Sequence, residues 1–183
     1  MICAGKSTLY QTRVAPSFAG PFINADIIQR GELREASMSA SYTAARMAED
    51  RRTTMLEAGH SFATETVFSH PSKLAILETA RARGYLVFVM YVGVNSTDLS
   101  VGRTRTDEGG HNVPEDKIRA RYTRSLPLIR TATLQADRRM VFENSQLTVP
   151  PKQMLGVAKG RLILAAPALP QWILTTYQSD LQA

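Results

Sequence analysis

The sequence predicts an α/β sandwich built on a parallel sheet. Three observations lead there. Helical and strand-like segments alternate along the chain; residues 85–94 form a nearly all-apolar run rich in β-branched and aromatic side chains; and the N-terminus carries the closing half of a phosphate-binding loop. Strand–helix alternation is how parallel strands joined by crossover helices read. An apolar run of that composition reads as a central strand covered on both faces. The 183 residues suit a single domain, 1–183, with a sizeable core.

Taken in order, Ala4-Gly5-Lys6-Ser7-Thr8 match the end of the P-loop, G-x-x-x-x-G-K-[ST]. The first glycine of that motif falls one position before Met1, so the chain is expected to lack it and the strand that leads into it. That pattern points to a start farther upstream or to a truncated copy. Residues 7–14 continue as a helix whose N-terminus faces anions. Residues 21–26 read as a short strand ending in a polar turn. Residues 41–58 read as an amphipathic helix with Ala44, Ala45, Ala48, Met55 and Leu56 on one face and Glu49, Asp50, Arg51 and Arg52 mostly elsewhere. Gly59 suits its C-terminal cap.

Residues 61–65 form a second short strand, and Pro71 opens a helix that Gly84 closes. After the apolar strand, Ser96 precedes an arginine-rich helical stretch interrupted by Gly109-Gly110-His111-Asn112. Pro114 starts a long helix running to about residue 136. Residues 140–142 and 161–165 read as strands, with Pro150, Pro151 and residues 156–160 a looser connection between them. Residues 171–177 read as a closing helix. Ligands in such sheets sit at the carboxyl ends of the strands. Asn24, Asp26, Glu65 and Asn95 all fall at or just past such ends.

Composition narrows the function classes. Hydrophobic residues make up 44% and charged residues 21%, as in a soluble globular protein. No apolar run approaches membrane-spanning length, and the N-terminus is not a leader. A cytoplasmic protein without membrane association is therefore expected. The single cysteine, Cys3, excludes an intrachain disulfide and reads as filler in the loop rather than as a reactive thiol. The net charge is +6, and residues 101–140 hold nine Lys/Arg against five Asp/Glu. Those arginines are interleaved with acids on helices, which favours a local phosphate clamp over a nucleic-acid-binding arm.

Several side chains suit phosphate chemistry. Gly5, Lys6, Ser7 and Thr8 would wrap phosphates with backbone N–H groups, a positive charge and hydroxyls, Ser7 being a ligand for Mg²⁺. Asp26 would act as general base on a substrate hydroxyl or touch Mg²⁺ through water, or equally serve as a helix N-cap. Glu65 would bond substrate hydroxyls or approach the metal shell, or simply end a strand in solvent. Arg105, Arg119, Arg121 and Arg124 flank the glycine turn. Arginine suits such a place because its guanidinium stays charged and grips oxygens bidentately. Arg121 and Arg124 share a helix face, whereas Arg119 points away to the surface. His111 reads as a lid turn residue or substrate contact. No His/Cys spacing suggests zinc, and Trp172 reads as packing.

Together the segments GKSTL, FINAD-I, AAR, AGHSFATETVFSHPSK, GY-V-YVGV-S-DL, GGH-VPEDKI-RY-RSL and ADR-VF-NS resemble, in order, the zeta toxin family of P-loop kinases. The resemblance covers about residues 2–145. It implies a P-loop kinase-like three-layer sandwich with a helical lid. The implied activity uses ATP and Mg²⁺ to phosphorylate the 3′-hydroxyl of UDP-N-acetylglucosamine or a related small molecule, with a small antitoxin protein blocking the ATP site. By motif, Lys6 and Ser7 match the P-loop positions. Asp26 matches the base toward the sugar hydroxyl, and Glu65, with Asn24 and Thr66, the substrate-facing acid and its neighbours. Arg105 and Arg121 or Arg124 match the lid arginines. The alternative expectation is an inactive remnant that binds nucleotide or antitoxin.

Overall fold

A computed structural model describes residues 5–99, 101–102, 115–146 and 149–181. The chain divides into two compact units: a smaller one, Arg13–Thr66, and a larger one formed by the residues before Arg13 with those from Val67 onward. Both mix parallel strands with helices, as the α/β expectation requires. Among the described residues no helix is long and apolar enough to cross a membrane.

The smaller unit pairs two short parallel strands, β1 (Phe22–Ile23) and β2 (Ala63–Thr64), in the register Phe22↔Ala63 and Ile23↔Thr64. Between them run α2 (Ala25–Ile28), which continues as a wider π-helical turn over Gln29–Leu33, and α3 (Met38–Glu57). The Ser37 hydroxyl starts α3 by accepting the Ala40 N–H at 3.0 Å. Gly59, at φ 70°, ends it. There the His60 N–H reaches the Met55 carbonyl and the Gly59 N–H the Leu56 carbonyl, the double bond of a Schellman cap.

The buried stripe of α3 is Ala40, Ala44, Ala48, Arg52 and Leu56. Ala44 and Ala48 join Ile23 and Ile28 in the core of this unit. The stripe differs from the expected face in two places: Ala45 is exposed, and Arg52 is buried at 8% exposure. A strict step of four residues carries the stripe from Ala48 through Arg52 to Leu56. The arginine stem fills a core position, and burial pulls its guanidinium below the ordinary value while Glu49 opposes the shift.

The larger unit opens with α1 (Lys6–Leu9), which also widens into a π-helical turn (Tyr10–Val14). It continues with α4 (Ser72–Ala82), β3 (Phe88–Gly93), α5 (Glu115–Gln135) and β4 (Arg138–Glu143), then β5 (Lys152–Ala158), β6 (Arg161–Ala165) and α6 (Gln171–Leu181). The sheet order is β3-β4-β5-β6, with β3 and β4 parallel and the two later pairings antiparallel. Successive residues of β4 face opposite sides. Val141 packs with Ile173 and Tyr177 of α6, and Phe142 packs with Val92 and Leu9 of α1. On the α6 side, the Arg130 Nε–H of α5 donates to the Thr176 carbonyl at 3.0 Å.

Three expectations are corrected here. The sheet is mixed rather than purely parallel. Residues 156–158, part of the looser connection expected at 156–160, belong to strand β5, which spans Lys152–Ala158. The prolines and glycines there looked like breakers, but Lys159 and Gly160, at φ 49° and 74°, make a two-residue turn of the type I′ kind that joins antiparallel strands. Gly156 lies at an irregularity in the register with β6, where a Cβ would come 3.3 Å from that of Leu164. The apolar run at 85–94 does contain a strand, but among the described residues β3 pairs only with β4. Phe88 is 59% exposed, so it is not the covered central strand expected. Apolar composition alone does not separate a sheet's centre from its edge.

Candidate functional site

In the smaller unit the site grows from the carboxyl ends of β1 and β2. Asn24, 5% exposed, follows β1 and caps α2. Its Oδ1 accepts the Asp26 N–H at 2.8 Å and the Ile27 N–H at 3.4 Å. Its Nδ2 donates to Glu65 Oε2 at 3.1 Å. Glu65 follows β2, and its own N–H donates to the Ile23 carbonyl. One asparagine therefore ties together two strand ends and a helix start. Asp26 is not the cap that the sequence left open as an alternative. It stands in the first turn of α2, half-buried, because Asn24 takes the capping bonds. Thr66, also half-buried, adjoins Glu65. The structure thus gathers Asn24, Asp26, Glu65 and Thr66 in one unit at the strand ends.

In the larger unit Gly5 turns the chain into α1 with φ 82°, a left-handed conformation that glycine adopts without penalty. The turn sits against the carboxyl end of β4. A Cβ on Gly5 would lie 2.3 Å from Asn144 Nδ2 and 3.6 Å from Pro151 Cγ. Lys6 follows, half-buried, and Ser7 and Thr8 are exposed. Leu9 anchors the helix on Val92 and Phe142. This arrangement fits a phosphate group: glycine lets the backbone pass close to a sheet end, and a lysine and a hydroxyl come next. A Mg²⁺ held mainly by phosphate oxygens needs little more from the protein than the Ser7 hydroxyl.

The arginines fare differently from one another. On α5, Arg121 is half-buried and Arg124 exposed, three residues apart. Arg119 is engaged at the surface with Asp98 at 2.5 Å and Glu115 at 2.7 Å, in keeping with its expected surface place. Arg105, His111 and Cys3 lie outside the described residues.

Sequence reasoning gave Glu143 no role, used Asn144 only as part of the ADR-VF-NS segment, and gave Trp172 only a packing role. Trp172 Nε1–H donates to Glu143 Oε2 at 2.5 Å, and its ring meets Tyr91 edge-on at 5.5 Å. Tyr91 is half-buried, and desolvation pushes its hydroxyl far above the ordinary value. The signal available in the sequence was the pair of polar residues closing an apolar strand, Glu143-Asn144, to which no site role was given because neither belongs to a P-loop motif.

Comparison with known proteins adds the following. The zeta toxin family model matches residues 22–149. That span contains the Asn24–Glu65 cluster and α5; the Gly5 turn and α6 lie outside it. An uncharacterized protein of Haemophilus influenzae is 32% identical over 63 residues, a stretch covering 33% of this chain, and the match spans 45% of that protein's length. A solved structure from the PezAT chromosomal toxin–antitoxin system of Streptococcus pneumoniae is similar in fold. It is 16% identical with a TM-score of 0.54, over 98% of this chain and 80% of that one.

Proposed function

Because the chain belongs to the zeta toxin family, we propose that it is an ATP-dependent phosphotransferase acting on a hydroxyl of UDP-N-acetylglucosamine or a related small molecule. The carrying observation is the Gly5-Lys6-Ser7 turn, which enters α1 at positive φ against the carboxyl end of β4. In this reading the chain acts as a single cytoplasmic kinase domain, and a small antitoxin is its protein partner.

The reaction joins the acceptor oxygen to the γ-phosphorus and breaks that phosphorus's bond to the β–γ bridging oxygen, releasing ADP. Asp26 takes the acceptor's proton as general base. Asn24 and Glu65 hold the floor on which the acceptor hydroxyls sit, and Thr66 adds a hydroxyl beside them. Lys6 and the amides of residues 5–8 bind phosphate oxygens, and Ser7 presents its hydroxyl to Mg²⁺. The metal, when bound, neutralises charge on the β- and γ-phosphate oxygens. Arg121 and Arg124, with Arg105, contact the transferred phosphate, whose spreading charge guanidinium groups stabilise, and His111 contacts the acceptor.

The test is incubation of the purified chain with MgATP and UDP-N-acetylglucosamine, with product mass as readout. A phosphorylated sugar nucleotide is expected, and Asp26→Ala is expected to lose transfer while keeping ATP binding. Equal turnover in that variant removes Asp26 from the base role. ATP binding without transfer to any sugar nucleotide would instead favour a nucleotide-binding remnant.

A further inference from the structure

The Gly5 turn rests on a side chain whose own backbone is fixed from both sides. Asn144 is 9% exposed, and its carboxamide occupies the space where a Gly5 side chain would be. On the strand side, its N–H donates to the Gly93 carbonyl at 2.9 Å, extending the parallel pairing of β3 and β4 by one residue. On the loop side, the Ser145 N–H donates to Glu143 Oε1 at 2.7 Å, and Ser145 Oγ accepts the Asn95 N–H at 2.7 Å. The other oxygen of Glu143 takes the Trp172 Nε1–H. Trp172 also closes over Gly93, where a Cβ would meet its ring at 2.6 Å.

We infer that Asn144 is a positioning residue for the nucleotide phosphates, and that Trp172 of α6, acting through Glu143, holds it in place. This rests on the phosphate-binding reading of the Gly5 turn. It adds that α6, which lies beyond the segment matched by the family model, helps to form the nucleotide site. The physical reason is direct. A turn at positive φ stays aimed only while the surface beneath it is rigid. The surface beneath this turn is one carboxamide, carried on backbone that bonds Gly93 and is braced through Ser145 and Glu143, with one charge-assisted indole bond behind. Loss of the bracket loosens the turn without touching acceptor residues in the other unit.

Two variants test it. Asn144→Ala removes the contact. Trp172→Phe keeps an aromatic ring over Gly93 and Tyr91 but removes the indole donor, and so guards against simple misfolding. The first measurement is hydrogen exchange without nucleotide, read on peptides covering residues 5–12. Both variants should exchange faster there, with the Arg13–Thr66 unit unchanged. The second is MgATP affinity and steady-state kinetics. Asn144→Ala should weaken MgATP about tenfold through lost preorganisation of the turn, with KM for ATP rising and KM for the acceptor hydroxyl unmoved. Unchanged exchange at residues 5–12 in both variants overturns the inference, as does an acceptor KM that rises with the ATP KM. A wild-type chain that binds no MgATP, yet loses protection at 5–12 in both variants, overturns the phosphate-binding reading and upholds the bracket.

Discussion

Replacing Asn24 with alanine removes three hydrogen bonds at once. Two are the cap bonds to the N–H groups of Asp26 and Ile27, and the third is the 3.1 Å bond to Glu65 Oε2. Loss of a side-chain cap costs about 1 kcal/mol. A buried bond to a charged carboxylate contributes about 1.5–3 kcal/mol. Asn24→Ala should therefore destabilise the chain by about 3 kcal/mol, read as a drop in the urea midpoint with unchanged slope. Asn24→Asp separates the two contributions, because aspartate caps as well as asparagine but brings an oxygen to the place of Nδ2. Two full charges at that separation repel by about 5 kcal/mol at an effective dielectric constant of about 20. The variant escapes by taking up a proton on folding. A carboxyl held protonated by folding costs stability at high pH and recovers it as pH falls. Asn24→Asp should thus be weakest above about pH 7 and approach wild type near about pH 5. Urea unfolding across that range is the assay. An alanine variant within about 0.5 kcal/mol of wild type, or an aspartate variant that is insensitive to pH, would refute the assigned role of Asn24.

Four further outcomes are expected. Gly84→Ala, at φ 79° with open space around its Cβ, should cost about 1 kcal/mol through backbone strain alone. Gly5→Ala meets the same strain and also Asn144, so it should cost more and abolish ATP binding; calorimetric titration beside thermal melts would expose any reversal of that order. Arg51 holds the Glu32 carboxyl below the usual carboxylate range through hydrogen bonds of 2.5 and 2.7 Å. The stability gained is present above the unfolded carboxyl value of about 4.3 and is lost as pH falls through the folded value. The gap between wild type and Glu32→Gln should therefore close in acid, and a gap that widens there counts against the pair. Arg52→Met keeps the stem packing and drops the buried charge, so stability should stay within about 1 kcal/mol or rise. A loss beyond about 2 kcal/mol in urea would show that the guanidinium itself stabilises the fold.

Helix boundaries were legible where their punctuation was local. Gly59 and Gly84 announced Schellman caps, and the structure has both, with Tyr85 N–H on the Ala80 carbonyl at the second. The four-residue stripe of α3 was visible as spaced alanines, but the pattern could not say that Arg52 continues it, since a long aliphatic stem and a surface charge share one letter. The hairpin of β5 and β6 was hidden for a similar reason. Its turn, Lys159-Gly160, depends on a lysine at positive φ, and lysine carries no turn signal. The acids of the candidate site were found because they follow short strands. Their order of rank was not, because only the bonds of Asn24 distinguish the cap from the free-standing carboxylate at Asp26. The closeness of Asn144 to Gly5 was not legible because most of the chain separates them, and such distant closure leaves no trace in local spacing.

The core of the larger unit also has a consequence for biogenesis. Ile173 and Tyr177, on the last described helix, are two of the five buried members of its principal cluster. Residues 13–66, by contrast, bury Ile23, Ile28, Ala44 and Ala48 among themselves. During synthesis the smaller unit has its own core as soon as it clears the ribosome. The larger one holds β3 and β4 exposed until α6 emerges, and nascent chains with open apolar strands are the ones chaperones engage. A stop codon before Gln171 should therefore yield a protease-sensitive product in which cleavage concentrates after Thr66, while the Arg13–Thr66 segment resists.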